Sequence, residues 1–97
     1  MIDLVITETA KDDLRAIWRY IAEHSYLEYA DGQLDRILIE CELLTHQPEI
    51  GVERADVLEG IRFFPVGRYN IYYRYQANTI FIAHVVDSAR GFEYSNE

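Results

Sequence analysis

The sequence predicts an α+β domain in which a strand and a helical hairpin precede an antiparallel meander, in the order β-α-α-β-β-β. Three observations predict it. The chain opens on a short β-branched apolar run, Ile2 to Ile6. Two stretches then repeat apolar residues at the helical spacing. After Pro48 the pattern changes to the period of two that marks strands. Ninety-seven residues suit one domain with one core, so residues 1–97 are read as a unit, with 92–97 a loosely held tail.

The opening run, Ile2-Asp3-Leu4-Val5-Ile6, is too short for a helix and reads as a buried strand. Thr7 or Thr9 can cap the first helix, with Asp12 and Asp13 placed in its first turn, where the helix dipole favours negative charge. Leu14, Ile17, Trp18 and Ile21 fall at i, i+3, i+4 and i+7 and define its buried face. His24 and Ser25 mark its end, and the short connection that follows implies a hairpin of two helices. The second helix starts between Leu27 and Asp31 and buries Ala30, Leu34, Ile37, Leu38, Cys41 and Leu44. Gly32 interrupts this helix at a cost of about 1 kcal/mol relative to alanine. Gln47-Pro48 stops it, because the residue before proline is pushed out of the α region.

Glu49-Ile50-Gly51 reads as a turn and Glu53 to Leu58 as an irregular connection. Ile61 to Val66, Tyr69 to Tyr75 and Thr79 to Val86 are three strand-length runs. Gln76-Ala77-Asn78 closes the last hairpin, with Asn78 suited to positive φ. Pro65 and Gly67 predict a bulge or bend at the first join. The helices are expected on one face of a single sheet.

Composition narrows the function. A hydrophobic fraction of 49% and a charged fraction of 27% are those of a globular protein, and 13% aromatics argue against disorder. The lone Cys41 excludes an internal disulfide and a cysteine-based zinc site, and it lies on the apolar stripe of the second helix. No apolar run approaches the length of a membrane span and no secretory leader is visible, so a cytoplasmic location and no membrane association are expected. The net charge of −8 opposes binding of nucleic acid alone. Charge is unevenly spread, however. Residues 1–48 hold ten acids and four bases, whereas between Gly60 and Gly91 the bases Arg62, Arg68, Arg74 and Arg90 face a single acid, Asp87.

Phosphate loops, dinucleotide fingerprints, zinc-protease motifs and nucleophile elbows are absent from the sequence. His24, His46 and His84 lack metal-ligand spacing, and no metal or cofactor is expected. His24 and His46 fall near helix C-termini, where an imidazolium helps the dipole. The weave of residues 62–75 is the richest segment: Arg62-Phe63-Phe64, Arg68-Tyr69 and Tyr72-Tyr73-Arg74-Tyr75 set guanidinium groups beside rings on adjacent strands. Arginine forks bind phosphate or carboxylate and stack on aromatic faces. Such a weave is either the solvated side of a two-faced sheet or a recognition surface, and composition does not separate the two.

Element order and residues together resemble the ParE/RelE superfamily of bacterial toxins, and ParE-type toxins most. Asp13-Leu14-x-x-Ile17-Trp18-x-Tyr20-Ile21-Ala22 is similar to that family's first helix, and Pro48-x-x-Gly51 to the turn after its second. Gly60-Ile61-Arg62 resembles the opening of its sheet, Arg68-Tyr69-x-Ile71-x-Tyr73-Arg74 its central strand, and Ile80 to Arg90 its last strand and exit. Family members often leave that strand through a His-x-x-Arg-Asp-like exit followed by glutamate. Here Arg90 and Glu93 fit the pattern, while Asp87 and Gly91 stand where His and Asp are usual.

The resemblance implies a toxin of a type II toxin–antitoxin system, neutralised by a cognate ParD-like antitoxin and acting on DNA gyrase without a catalytic centre. It implies antitoxin contacts at Trp18, Arg62, Arg68, Tyr72 and Arg74, and target contacts at Arg68, Arg90, Phe92 and Tyr94. Two rival readings stand beside it. A RelE-type endoribonuclease would use Arg62, Arg68, His84 and Tyr94 around a message, although one lysine and an acidic balance equip the chain poorly for it. An inert family member would only sequester antitoxin.

Overall fold

The structure, a computed structural model, describes residues 1–89. Its elements are β1 (Asp3–Ile6), α1 (Glu8–His24), α2 (Leu27–Leu44), β2 (Val52–Glu53), β3 (Arg62–Val66), β4 (Tyr69–Gln76) and β5 (Thr79–Asp87). They build one five-stranded mixed sheet in the order β1-β5-β4-β3-β2, with β1 parallel to β5 and every other pair antiparallel. The α+β architecture and the meander agree with the sequence, but the opening strand, expected to be buried, is an edge strand in which Asp3 and Val5 are exposed and Leu4 and Ile6 only partly covered. The strand β2 is an addition: Val52 pairs with Phe63 and Glu53 with Arg62, extending the sheet beyond the expected meander.

Thr7 is the N-cap of α1, its hydroxyl oxygen accepting from the Ala10 N–H at 3.2 Å. The helix therefore begins at Glu8, which leaves Asp12 and Asp13 in the second turn instead of the first. Leu14 and Ile21 are buried, and Ile17 and Trp18 pack beside them. Helix α2 starts at Leu27 and buries Ala30, Ile37, Cys41 and Leu44, whereas Leu34 and Leu38, expected to be buried with them, are only partly covered because they face the outward groove between the helices. The two helices cover the sheet face that carries Val66, Tyr69, Ile71, Tyr73, Ile80 and Ile82.

Both hairpin turns are two residues long. Val66 pairs with Tyr69, and Gly67 takes φ +58° at the first central position, where this class of turn needs it. Gln76 pairs with Thr79, and Ala77 and Asn78 both sit at positive φ, 51° and 57°. Such a turn matches the twist of the strands, but alanine in the left-handed region costs about 1 kcal/mol. The register between β3 and β4 runs unbroken past Pro65. The irregularity lies instead between β4 and β5, where Tyr72 pairs with His84 and Tyr73 with Ile82, so Ala83 is the extra residue.

Candidate functional site

Three surfaces hold the chemistry. The first is a cleft of about 690 Å³ between α1 and the end of β5, into which Asp13, Tyr20, Arg68, His84 and Asp87 project among apolar neighbours. It exists because β1 stops short: its last pair is Ile6 with Ile82, and beyond that point no strand among the described residues lies on the outer side of β5. Helix α1 takes over that edge. The Thr7 hydroxyl donates to the Ile82 carbonyl at 2.8 Å, and Asp13 Oδ2 accepts from the Val85 N–H at 3.0 Å. The same carboxylate oxygen lies 3.2 Å from His84 Nδ1. Across the mouth, the Arg68 guanidinium pairs with Asp87 at 2.8 Å, and this contact pushes the arginine pKa further up. The exit is pinned once more by the Ser88 N–H donating to the Arg68 carbonyl at 2.7 Å.

The second surface is the outward groove of the helical hairpin, about 450 Å³, with Leu14, Trp18, Leu34 and Leu38 as its apolar floor. The Trp18 indole N–H donates to Asp31 Oδ1 at 2.8 Å and so ties α1 to α2. Lys11, Arg15 and Arg19 line the same groove at i, i+4 and i+8, forming a cationic row along it. Lys11 and Arg15 also make exposed pairs with Glu8 and Asp12 one turn back, which hold them only weakly.

The third surface is the helix-free side of the sheet. Phe63 and Tyr72 are direct cross-strand partners with ring centroids 6.0 Å apart, and the Arg54 guanidinium lies 5.7 Å from the Phe63 centroid. Arg74, in register with Phe81, alternates onto this side, and its Nε is buried without a hydrogen-bond partner among the described residues.

The expected site residues thus divide. Trp18 lies in the hairpin groove, Tyr72 and Arg74 belong to the helix-free side, and Arg68 and His84 share the cleft. Arg62 joins none of them. Its guanidinium donates to the Glu49 and Gly51 carbonyls at 3.1 and 2.8 Å and pairs with Glu53 at 3.0 Å, clamping the turn that leads into β2. Arg90, Phe92 and Tyr94 lie outside the described residues. The row Lys11, Arg15 and Arg19 was not singled out from the sequence, although its four-residue spacing on a helix was the signal for it.

Cys41 is fully buried, and burial, reinforced by Glu40 and Glu42, pushes its thiol up to about 12, which makes it inert at neutral pH. Among the described residues no group of three or more His, Cys, Asp or Glu side chains is placed to hold a metal ion, and no helix is long and apolar enough to cross a membrane.

A family model described as the ParE toxin of the type II toxin–antitoxin system parDE matches residues 4–92. Toxin ParE3 of Caulobacter vibrioides is 27% identical over 84 residues, covering 87% of this chain and 84% of its own length. A solved structure described as a chromosomal ParDE toxin–antitoxin system from P. aeruginosa superposes with a TM-score of 0.80 at 21% identity, over 90% of this chain and 96% of that one. At that identity the superposition speaks for the fold.

Proposed function

The chain belongs to the ParE toxin family of type II toxin–antitoxin systems, and from that premise we propose that it arrests growth by acting on DNA gyrase and is silenced by a ParD-like antitoxin seated in the hairpin groove. The observation that carries the antitoxin half is the cationic row Lys11, Arg15 and Arg19 beside the apolar floor around Trp18. An acidic amphipathic segment fits there: its apolar side covers Leu14, Trp18, Leu34 and Leu38, and its carboxylates meet the row. Coupled folding of such a segment would bury indole and aliphatic surface that the free chain leaves wet. A continuation of the same antitoxin reaching Tyr72 and Arg74 would bring an acceptor to the buried Arg74 Nε.

The target half rests on the family and on how the arginines are distributed. Arg62 is committed to the Glu49–Glu53 turn and does not line the cleft that holds Arg68 and His84, which supports action by binding over message cleavage. Arg68 offers an exposed guanidinium at the cleft mouth, and with Arg90, Phe92 and Tyr94 it is the proposed gyrase contact.

One observation favours the endoribonuclease reading: Arg68 and His84 do line a single cleft. A two-tube assay with purified protein separates the readings. Trapped gyrase cleavage complexes with intact ribosome-bound message are the expected result. Cut message with normal supercoiling would overturn the proposal in favour of cleavage at His84 and Arg68, and silence in both tubes would leave an inert antitoxin binder.

A further inference from the structure

The outward side of α2 is built as a negative of the groove just described. Glu28, Asp35 and Glu42 recur every seven residues on it, all exposed, and so fall on one line along the helix. Beside that line lie Ile39 and Leu43, an i, i+4 pair left 60% and 50% exposed. The apolar strip continues past the end of the helix. Leu43 and Ile50 border one small hollow with Phe64, and Val52 is exposed on the edge strand β2. Gly32 stands seven residues before Ile39 on the same line, and a Cβ there would meet nothing within 4 Å. A glycine in an open helical position weakens α2 without relieving any clash, and leaves a notch where another backbone can come close. The neighbouring cation does not offset the acids on this side, since the Arg36 guanidinium lies over the Gly67 turn.

From this face we infer a second protein-binding surface, whose occupant is a basic amphipathic segment of a partner, its apolar residues on Ile39 and Leu43 and its lysines or arginines along Glu28, Asp35 and Glu42. Charge decides the occupant. A second copy docking through this same face would set acid against acid, and an acidic antitoxin segment would be repelled here while Lys11, Arg15 and Arg19 attract it in the hairpin groove. A copy offering that groove instead would show as concentration-dependent self-association of the chain, a result that would overturn the inference. The inference goes beyond antitoxin and gyrase and does not depend on toxicity.

The test uses the whole protein and a synthetic leucine–lysine amphipathic helix of about 18 residues, matched to the length of α2. Amide shifts are followed by NMR, with the same peptide carrying glutamate for lysine as control. The lysine peptide is expected to move resonances along Glu28–His46 and Ile50–Val52, to bind at least tenfold more tightly than the glutamate peptide, and to lose at least tenfold in affinity with Ile39→Ser/Leu43→Ser. A variant that changes charge alone, Glu28→Gln/Asp35→Asn/Glu42→Gln, is expected to weaken it similarly. Shifts centred on α1, shifts scattered over all acidic surface, or an affinity untouched by both variants would overturn the inference, because an acidic protein attracts cations without any site.

Discussion

The two helices of the hairpin both bury an apolar stripe against the same sheet, yet each is fastened there by a different further device. Helix α1 is tied to β5 by polar bonds: Thr7 to the Ile82 carbonyl, Asp13 to the Val85 N–H and to His84. Helix α2, on its stripe of Ala30, Ile37, Cys41 and Leu44, is held by the locked turn that follows it. In that turn the fully buried Tyr73 donates its hydroxyl to the Pro48 carbonyl and accepts from the Gly51 N–H, both at 2.9 Å. Arg62 closes the same turn from the side. One helix therefore replaces a missing strand, and the other is pinned at its exit.

The turn after α2 is where this contrast breaks most readily. A Cβ on Gly51 would lie 2.6 Å from the Tyr73 ring and hydroxyl and 2.9 Å from the Phe63 carbonyl, so the ring cannot keep its bonds. Gly51→Ala is expected to cost about 3 kcal/mol or more, read as a melting point lowered by about 12 °C or more. Tyr73→Phe keeps the ring but orphans the Gly51 N–H and the Pro48 carbonyl, and denaturant titration is expected to show a loss of about 1–3 kcal/mol. The matching cut on α1, Asp13→Ala, frees the Val85 N–H and is expected to cost about 1–2 kcal/mol, with Asp13→Asn recovering part of it because the amide oxygen still accepts. If Asp13→Ala cost more than Gly51→Ala, the ranking of the two devices would be reversed.

Alkali acts under both helices: Cys41 and Tyr73 are raised under α2 and its exit, and burial also raises Tyr69, which lines the cleft beside α1. Burial raises the Cys41 thiol from 9.0 to about 12, and burial also raises Tyr73 despite the opposing bond from Gly51. Both groups are held neutral in the native state at pH values where the unfolded chain ionises. Their stabilisation is complete below the unfolded pKa and is lost as pH rises through the folded one. Stability is therefore expected to decline from about pH 9 toward pH 12, and Cys41→Ala is expected to flatten the first part of that decline. The smallest effect is a gain: Gly32→Ala, in open space, is expected to add up to about 1 kcal/mol.

Most of the scaffold was legible because burial imposes a period. Leu14, Ile17, Trp18 and Ile21, then Ala30 to Leu44, carry the helical repeat, and the meander carries the period of two. What escaped has no period. Two residues of β2 cannot display one, and that strand depends on Arg62 reaching back to Glu49, Gly51 and Glu53 across the turn. Ala77 at positive φ is imposed by strand twist over the residue's own preference, and the bulge at Ala83 has no composition cue. The candidate surfaces were legible only in part. Trp18 stood out by type, whereas Lys11, Arg15 and Arg19 and the acidic line on α2 acquire meaning only when each helix is placed beside the other.

Opposite charge on the two outward helix faces is the central claim, and antitoxin affinity of paired charge reversals tests it most directly. Titration calorimetry with a ParD-like antitoxin is predicted to show at least a hundredfold loss for Lys11→Glu/Arg15→Glu/Arg19→Glu and a change of less than twofold for Glu28→Lys/Asp35→Lys/Glu42→Lys. Equal losses in both variants, or a loss confined to the α2 variant, would contradict it.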